Sequence, residues 1–461
     1  MMGRRGVLRP ISIKKKGGYA MYRRHYIEHE GNIVLFLPSS LRFFNINEDT
    51  KTVIEAICEK EKNEVLSDHG INEETYDSLL SILKETVPYR DTPSNTLIKV
   101  TLIISGSCNL KCKYCYANCG KYETNTGNMS KETIKNALDH FLGRYDEIGN
   151  IQFFGGEPTM NLEAVRYACE YVHAKYDSKE IKHLPNLGMV TNGTLVTDEL
   201  IDIVKKYNVN ITVSLDGPKE VNDLLRVYPD GSGTSDIVEK NILKLKETCN
   251  QPVAIEATYS ELHEKMGYSV LDIVKYLKDK FDVPKVHVAP VSSIKDSELA
   301  YAERDPFIKS IGEVHEWKKK GCDYRYASYD LTLEGLKYKQ IRTHYCEAGL
   351  AKFAVSATGD VYPCYLFNDA KETSMGNVND KNLFESDRFK ESQKKLLEFN
   401  RFTKEECKTC FNNTLCRQCA AENYFANNDL FEVPKATCNF AKKRTEVIIG
   451  NIAKEQMNGQ V

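Results

Sequence analysis

The chain has 461 residues, of which 41% are hydrophobic and 28% are charged, as is typical of a soluble globular protein with two or three domains. Its formal net charge of −2 gives no bulk attraction to nucleic acid or acidic lipid, and no apolar run could span a bilayer, so we expect neither partner. Fifteen cysteines without a recognisable export signal favour the reducing cytoplasm, where clustered cysteines more often bind metals or act in catalysis than form disulfides.

The N-terminal part mixes strand and helix patterns. Residues 1–20 are basic and are expected to form a disordered tail, with Met21 as a candidate start. Residues 21–95 predict a β-hairpin over 26–36, a strand over 41–46, a helix over 48–58 and a second helix from 73. This combination indicates a winged-helix-like domain, and a plain cap on the main domain is the alternative.

Residues 96–320 alternate strands with helices. The predicted strands cover 98–105, 150–154, 187–191, 210–215, 253–259 and 285–291. The predicted helices cover 131–145, 161–176, 198–207, 235–249 and 269–280. Such alternation predicts the α/β class, with a parallel sheet and helices outside it. Six strands are too few for a closed eight-stranded barrel, so we expect a partial (β/α)6 barrel with its site at the carboxyl ends of the strands.

Three cysteines occupy the loop after the first of these strands. Cys108, Cys112 and Cys115 have the spacing C-x3-C-x2-C. Three thiolates on one loop can hold three corners of an iron–sulfur cube and leave the fourth iron open, which is the arrangement of a catalytic site. A zinc site or three unrelated thiols are the alternatives.

Further polar and glycine residues follow the next strands. They are Gly155, Gly156 and Glu157 after the second strand, Asn192 after the third, Ser214 and Asp216 after the fourth, and Arg226 in the loop beyond. Paired glycines let backbone approach a ligand, and the other side chains suit an ammonium group, a ribose and a carboxylate. Each motif alone is an ordinary turn, but together they indicate a ligand with an amino acid at one end and a nucleoside at the other.

The C-terminal region, residues 321–461, is rich in cysteine. Its clustered thiols are Cys346, Cys364, Cys407, Cys410, Cys416, Cys419 and Cys438. The run from Cys407 to Cys419 also fits a zinc ribbon, which is the alternative to iron–sulfur binding. The remaining cysteines are scattered and are expected to be small buried apolar residues.

The three-cysteine loop and the Gly-Gly-Glu-Pro motif at 155–158 resemble the radical S-adenosylmethionine (SAM) superfamily. The resemblance implies a [4Fe–4S] cluster on Cys108, Cys112 and Cys115, whose open iron chelates the amino and carboxylate groups of SAM. It places Tyr114 near the adenine, Glu157 and the 155–156 backbone at the amino group, Ser214 and Asp216 at the ribose, and Arg226 at the carboxylate. The cofactor would then generate a radical that abstracts a substrate hydrogen.

The C-terminal cysteines resemble the SPASM extension, which holds two auxiliary [4Fe–4S] clusters and brings the implied total to three. One cluster would take Cys346, Cys364 and Cys419, and the other would take Cys407, Cys410, Cys416 and Cys438. Seven thiolates for eight positions leave one auxiliary iron open to a substrate thiolate. The family usually has one more residue between its last paired cysteines than Cys416 and Cys419 have here.

These resemblances together indicate a peptide maturase of the ranthipeptide or sactipeptide kind, which forms thioether cross-links in a ribosomally made precursor. The N-terminal domain would bind the leader of a cysteine-containing precursor peptide, and a low-potential donor such as a ferredoxin or flavodoxin would supply electrons. A sulfatase-maturing-type oxidase and a carbon–carbon cross-linking maturase are alternatives, as is a non-catalytic metal-binding peptide scaffold. Sulfatase-maturing enzymes carry an aspartate base where this chain has Tyr365, and no residue is chosen here as acid or base.

Overall fold

The computed structural model describes residues 22–118, 127–291, 299, 304–321, 326–368 and 370–459. The predicted basic tail, Cys119 and Cys322 lie outside the described residues.

The N-terminal unit has three antiparallel strands followed by three helices. They are β1 (His25–His29), β2 (Asn32–Leu37), β3 (Arg42–Ile46), α1 (Glu48–Glu59), α2 (Lys62–His69) and α3 (Glu73–Lys84). Glu30 and Gly31 both have positive φ, which makes the tight two-residue turn that joins β1 to β2. Asn47 and Asn72 accept a backbone N–H at the starts of α1 and α3, as predicted. Helix α2 was not predicted, because Val65 is its only buried residue.

The partial barrel follows. Its strands are β4 (Thr96–Leu97), β5 (Lys99–Ser105), β6 (Glu147–Ile148), β7 (Asn150–Gly155), β8 (Asn186–Thr191), β9 (Asn210–Ser214), β10 (Ala254–Tyr259) and β11 (Lys285–Pro290). Its helices are α4 (Lys131–Arg144), α5 (Leu162–Asp177), α6 (Asp198–Tyr207), α7 (Lys219–Leu225), α8 (Ser235–Cys249), α9 (Glu261–Lys265) and α10 (Val270–Phe281). The six long strands are parallel and neighbour one another in the order β5-β7-β8-β9-β10-β11. The α/β class and the partial parallel barrel are therefore confirmed.

The C-terminal region adds more helices and three short strands. They are α11 (Asp305–Lys319), α12 (Ala327–Tyr338), β12 (Lys352–Val355), β13 (Asp360–Tyr362), β14 (Gly376–Asn377), α13 (Asp387–Glu398), α14 (Glu405–Thr409), α15 (Ala420–Asn427) and α16 (Lys435–Met457). Short 3-10 turns lie at Pro158–Asn161, Tyr365–Phe367, Lys371–Thr373 and Leu383–Glu385. Strand β12 pairs in parallel with β5, and β13 and β14 continue the sheet antiparallel. The barrel sheet thus extends into the cysteine-rich region, which was not predicted because these strands are very short.

The N-terminal sheet is covered on both faces. Leu35 and Leu37 of β2 pack with α1 to α3, whereas Val34 and Phe36 point the other way and join the main core. The C-terminal helix α16 contacts all three strands of this sheet. The unit is thus packed onto the body of the protein, while its description as a winged helix remains a prediction.

No helix among the described residues has both the length and the apolar composition that crossing a bilayer requires.

Candidate active site

The three-cysteine loop lies at the carboxyl end of β5, where the sequence places it. Its backbone is held by the segment after α7, because the N–H of Lys111 donates to the carbonyl of Val227 at 2.7 Å. The N–H of Lys113 donates to the carbonyl of Leu225 at 2.9 Å. These bonds fix the loop over the mouth of the barrel.

Side-chain amides join the same loop to the end of β8. Asn192 Nδ2 donates to Asn109 Oδ1 at 2.8 Å and lies 3.7 Å from the sulfur of Cys108. Asn109 Nδ2 in turn donates to Thr194 Oγ1 at 2.8 Å. Burial raises the pKa of the Cys108 thiol to about 12, so that thiol is protonated at neutral pH unless a metal binds it. Asn192 therefore lies beside the predicted cluster.

The glycine pair closes the gap between β5 and β7. Gly155 has φ +142, and a Cβ at that residue would lie 2.3 Å from the carbonyl oxygen of Ser105. The N–H of Gly156 donates to that same oxygen at 2.8 Å. Only glycine permits this approach, which keeps backbone exposed beside the three cysteines.

Glu157 is fully buried, and the described contacts of its carboxylate are internal. It accepts hydrogen bonds from the N–H and hydroxyl of Thr159 at 3.0 and 2.6 Å. It also accepts from the Thr191 hydroxyl and the Asn192 N–H, both at 2.7 Å. Burial raises the pKa of Glu157 and these donors oppose the rise. The carboxylate holds the end of β8 against the glycine turn. Its contact with the ammonium group of a ligand remains a prediction.

Tyr114, Asp216 and Arg226 form one hydrogen-bonded group, in which Asp216 and Arg226 are buried. The Tyr114 hydroxyl donates to Asp216 Oδ2 at 2.5 Å, and Arg226 Nη1 donates to the Tyr114 oxygen at 2.8 Å. Arg226 lies 3.9 Å from the Asp216 carboxylate, which also accepts the N–H of Thr258 at 2.9 Å. The structure brings together three residues that the sequence assigned to adenine, ribose and carboxylate, and those separate roles remain predictions.

Two polar residues inside the barrel were not predicted. Glu256 pairs with Ser214 on one side and with His287 on the other, so the three lie in a row across β9, β10 and β11. Their neighbours Ile255 and Val286 are buried on the helix side, which leaves the row facing the interior of the barrel. Burial lowers the pKa of His287, and Glu256 opposes that shift. The sequence shows polar residues at alternate positions of these strands. Only the pairing register shows that Ser214, Glu256 and His287 are neighbours.

The first C-terminal thiol group is Cys346, Cys364 and Cys419. Cys346 and Cys419 lie close enough to interact electrostatically with Cys364, and burial raises the pKa of the Cys364 thiol. All three lie in an apolar cluster with Phe367. The adjacent Tyr365 packs with Cys115 and Phe154 at the barrel mouth, so this group lies next to the first cysteine loop.

The second C-terminal thiol group is Cys407, Cys410, Cys416 and Cys438. Cys407 and Cys410 lie close enough to interact electrostatically with Cys438, and Cys410 also interacts with Cys416. Burial raises the pKa of the Cys416 thiol to about 11. The thiols that the sequence assigned to one cluster are thus neighbours in the fold.

The donor set of each group is three or four thiols, which a [4Fe–4S] cluster or a zinc ion can use. Among the described residues, no group of three or more His, Cys, Asp or Glu side chains is gathered closely enough to hold one metal ion.

Comparison with known families agrees with this geometry. Residues 102–258 match the Radical SAM superfamily, and residues 346–420 match SPASM, an iron–sulfur cluster-binding domain. The chain therefore contains a radical SAM domain followed by a SPASM domain. Both domains imply [4Fe–4S] clusters, and the first implies SAM.

Curated relatives include modifying enzymes of several kinds. The cysteine-type anaerobic sulfatase-maturating enzyme of Clostridium perfringens is 26% identical over 70% of this chain and 88% of its own length. The radical SAM cyclopropyl synthase TigE of Paramaledivibacter caminithermalis is 25% identical over 61% of this chain and 59% of its own length. The subtilosin biosynthesis protein AlbA of Bacillus subtilis is 24% identical over 61% and 57%.

Solved structures share the fold. Native anSMEcpe with bound AdoMet superposes on 77% of this chain and 99% of its own, with a TM-score of 0.63 and 23% identity. SuiB of Streptococcus suis bound to precursor peptide SuiA superposes on 91% of this chain and 99% of its own, with a TM-score of 0.51 and 14% identity. The 9% of this chain that lies outside the superposition is shorter than the N-terminal unit. The similarity to SuiB therefore includes part of that unit.

Proposed function

We propose that this protein is a peptide maturase that forms thioether cross-links between cysteine sulfur and carbon within a ribosomally made precursor. The observation that carries the proposal is the three-thiol group of Cys346, Cys364 and Cys419 beside the barrel mouth. The other described cysteines outside the three thiol groups lie in the N-terminal unit and on α5 and α8, so none of them supplies a fourth ligand. A substrate thiolate can take that position.

We assign three [4Fe–4S] clusters, one to each thiol group, and one SAM to the first. When bound there, they supply a radical that removes a hydrogen atom from the substrate. Asn109 and Asn192 hold the first loop, and Tyr114, Asp216 and Arg226 form the buried wall beside it. Phe154 and Tyr365 separate the first loop from the open three-thiol group, and this apolar contact helps to exclude water.

We further propose that residues 21–95 are a winged-helix-like domain that binds the leader of the precursor, ahead of a barrel over 96–320 and a SPASM domain over 321–461. Strand β3 pairs only with β2 among the described strands, which leaves an edge to which a peptide can add as a strand. The SuiB likeness supports this assignment, because that enzyme binds its precursor peptide SuiA.

Deleting the N-terminal unit is a poor test, because the deletion would uncover α16. Substitution of Phe43 or Phe44 with proline is sharper, since successive N–H groups of an edge strand point alternately toward and away from its partner. Both variants lose a ring that packs against a core cluster, so both lose some stability. The variant whose N–H points away from β2 should weaken leader binding at least tenfold, whereas the other should lower stability further because it also loses a hydrogen bond to β2. Equal leader affinity in wild type and both folded variants would reject the assignment.

A sulfatase-maturing-type oxidase is the second candidate, favoured by the match over 88% of the Clostridium perfringens enzyme. The TigE match likewise keeps carbon–carbon bond formation open. Against the first of these, Tyr365 stands where the resemblance places a carboxylate base. We place the protein in the cytoplasm, with a low-potential donor of the ferredoxin or flavodoxin kind.

Anaerobic co-expression with a cysteine-rich peptide encoded beside this gene tests the proposal. Each thioether removes a pair of hydrogens and blocks alkylation of one thiol, which mass spectrometry detects. A carbon–carbon link removes hydrogens but leaves the thiols alkylatable, and a sulfatase-type product contains an oxidised residue without a link. The Cys108→Ala variant should give no modification, and Cys346→Ala should retain SAM cleavage without forming the thioether.

A further inference from the structure

Three arginines surround the second thiol group. Arg401 is 4% exposed, and its Nε donates to the carbonyl of Arg342 at 2.7 Å. The Nε atoms of Arg444 and Arg23 are buried without a hydrogen-bond partner among the described residues. Arg23 also donates from Nη2 to the carbonyl of Cys410 at 2.5 Å. All three guanidinium groups are therefore withdrawn, wholly or largely, from water.

None of these three cations forms an ion pair with a carboxylate of the described residues. Several arginines elsewhere in the described chain do so, namely Arg24, Arg42, Arg144, Arg166, Arg226, Arg304 and Arg342. A buried cation without a counter-charge costs several kcal/mol. A negative group must therefore lie nearby in the working protein.

The thiols are the most acidic groups next to these arginines, which also lie near Tyr89, Tyr326 and Tyr345. Arg401 Nη1 donates to the carbonyl of Asn413, and the Asn413 side-chain amide donates to the carbonyl of Cys407. Arg401 and Arg444 both interact electrostatically with Cys416. Arg23 interacts electrostatically with Cys410 as well as through its hydrogen bond. A metal cluster held by four thiolates carries a net negative charge and supplies the counter-charge that the protein side chains do not.

The first C-terminal thiol group has a different setting. Cys364 interacts with the other two thiols of this group, and Glu422 lies near Cys419. Glu422 pairs with Arg304, which cancels that cation. Lys99 interacts electrostatically with Cys364, so one cation lies near this group, against three arginines at the second group.

We propose that Arg23, Arg401 and Arg444 are the counter-charges of the cluster at Cys407, Cys410, Cys416 and Cys438, and that they give it a higher reduction potential than its neighbour. The inference rests on the proposed cluster assignment. Fixed cations stabilise the more negative, reduced form. When bound, a cluster at Cys346, Cys364 and Cys419 would be able to pass one electron to the second, the first being oxidised and the second reduced by one electron, without a proton or further reactant.

The contact of Arg23 with Cys410 gives the N-terminal unit a part in this site. His25 of β1 stacks on Phe411, with ring centroids 3.6 Å apart and planes 2° apart, and binds Glu446 at 2.8 Å. The unit assigned to peptide binding thus completes the surroundings of the site that retains the electron.

The test is a redox titration of the anaerobic protein followed by electron paramagnetic resonance. A variant with Cys108, Cys112 and Cys115 changed to alanine keeps only the two auxiliary clusters. In that variant, the further change Cys438→Ala shows which midpoint potential belongs to the second cluster. Arg401→Gln and Arg444→Gln should each lower that midpoint and leave the other unchanged. The control Arg166→Gln removes an exposed cation paired with Glu199 and should move neither midpoint. Unchanged midpoints, or equal shifts of both, would overturn the proposal.

Iron content separates an effect of the arginine charge from a simple loss of the cluster. If Arg401→Gln loses about four irons per chain while Arg401→Lys keeps them, charge stabilises the cluster and the proposal stands. If both variants lose them, the arginine acts through its shape and the proposal fails. If Cys438→Ala and the other three ligand variants all keep the full iron content, the cluster assignment fails instead, independently of any thioether product.

Discussion

Tyr365 packs against Phe154 with ring centroids 4.8 Å apart and planes tilted by 50°. This contact joins the cysteine-rich region to the second strand of the barrel. An aromatic pair contributes about 0.5–1.5 kcal/mol, but its position between two thiol groups gives it a larger influence on geometry.

Tyr365→Ala should therefore lower peptide modification by about a hundredfold, because a displacement of about 1 Å at a reacting centre has an effect of that size. SAM cleavage without peptide should persist, and Tyr365→Phe should restore modification because it keeps the ring. Product formation and 5′-deoxyadenosine release are measured on the same samples. A phenylalanine variant as inactive as alanine would instead assign the role to the hydroxyl.

Gly155→Ala should abolish SAM binding. The added Cβ would meet the Ser105 carbonyl at 2.3 Å in a conformation that L residues rarely adopt, so β5 and β7 must separate. Equilibrium binding to the reconstituted protein should show at least a tenfold loss. The control Gly143→Ala lies in α4 with nothing within 4 Å and should bind SAM normally. Wild-type affinity in the Gly155 variant would show that the close approach is dispensable.

Asp216→Asn should destabilise the fold by about 3 kcal/mol or more, because it leaves Arg226 buried without its counter-charge. Thermal unfolding should shift downward by several degrees. Asp236→Asn breaks the exposed pair with Lys219 and should change stability by less than about 1 kcal/mol. Similar shifts for the two variants would mean that the buried group is open to water.

His263 should make stability depend on pH. Its ring is fully buried, accepts the Ser260 N–H at Nδ1 and donates from Nε2 to the Asp216 carbonyl, and burial lowers its pKa below 6.5. The unfolded chain therefore takes up a proton first as pH falls, so stability declines from about pH 7.5 downward.

Between pH 7.5 and 5.5 this group accounts for at most about 1.4 kcal/mol of lost stability. His263→Gln should flatten the decline by up to that amount, as measured by denaturant unfolding at both pH values. Exposed His183→Gln should leave the slope as in wild type. The same slope in both variants would contradict the prediction.

Much of the barrel could be predicted because long β-branched runs and amphipathic helices alternate regularly. The predicted bounds of α6 and α8 agree with the structure. Helices α7 and α9 were missed because seven and five residues carry too little periodicity. Strand β12 was missed because its partner β5 is about 250 positions away in the sequence, and no local pattern records that pairing.

Some residues of the candidate site could likewise be predicted from the sequence, and others could not. Cysteine spacing identified the loop of Cys108, Cys112 and Cys115 because its thiols are close in sequence, whereas the grouping of the C-terminal thiols came from the resemblance to the SPASM extension. The row of Ser214, Glu256 and His287 depends on register between strands, which the sequence does not give. The proposed role of Arg401 follows from the absence of a carboxylate partner among the described residues. Only the folded chain shows which residues could have been its partners.

The pairing of β12 with β5 limits how this protein can be recombined with its relatives. Lys352 stands opposite Lys99, and Val355 opposite Leu102, so the cysteine-rich region is attached by a strand ladder as well as by the covalent chain. A slip of one residue would turn each side chain of β12 to the other face. A chimera that grafts a foreign C-terminal region onto this barrel must therefore preserve that register.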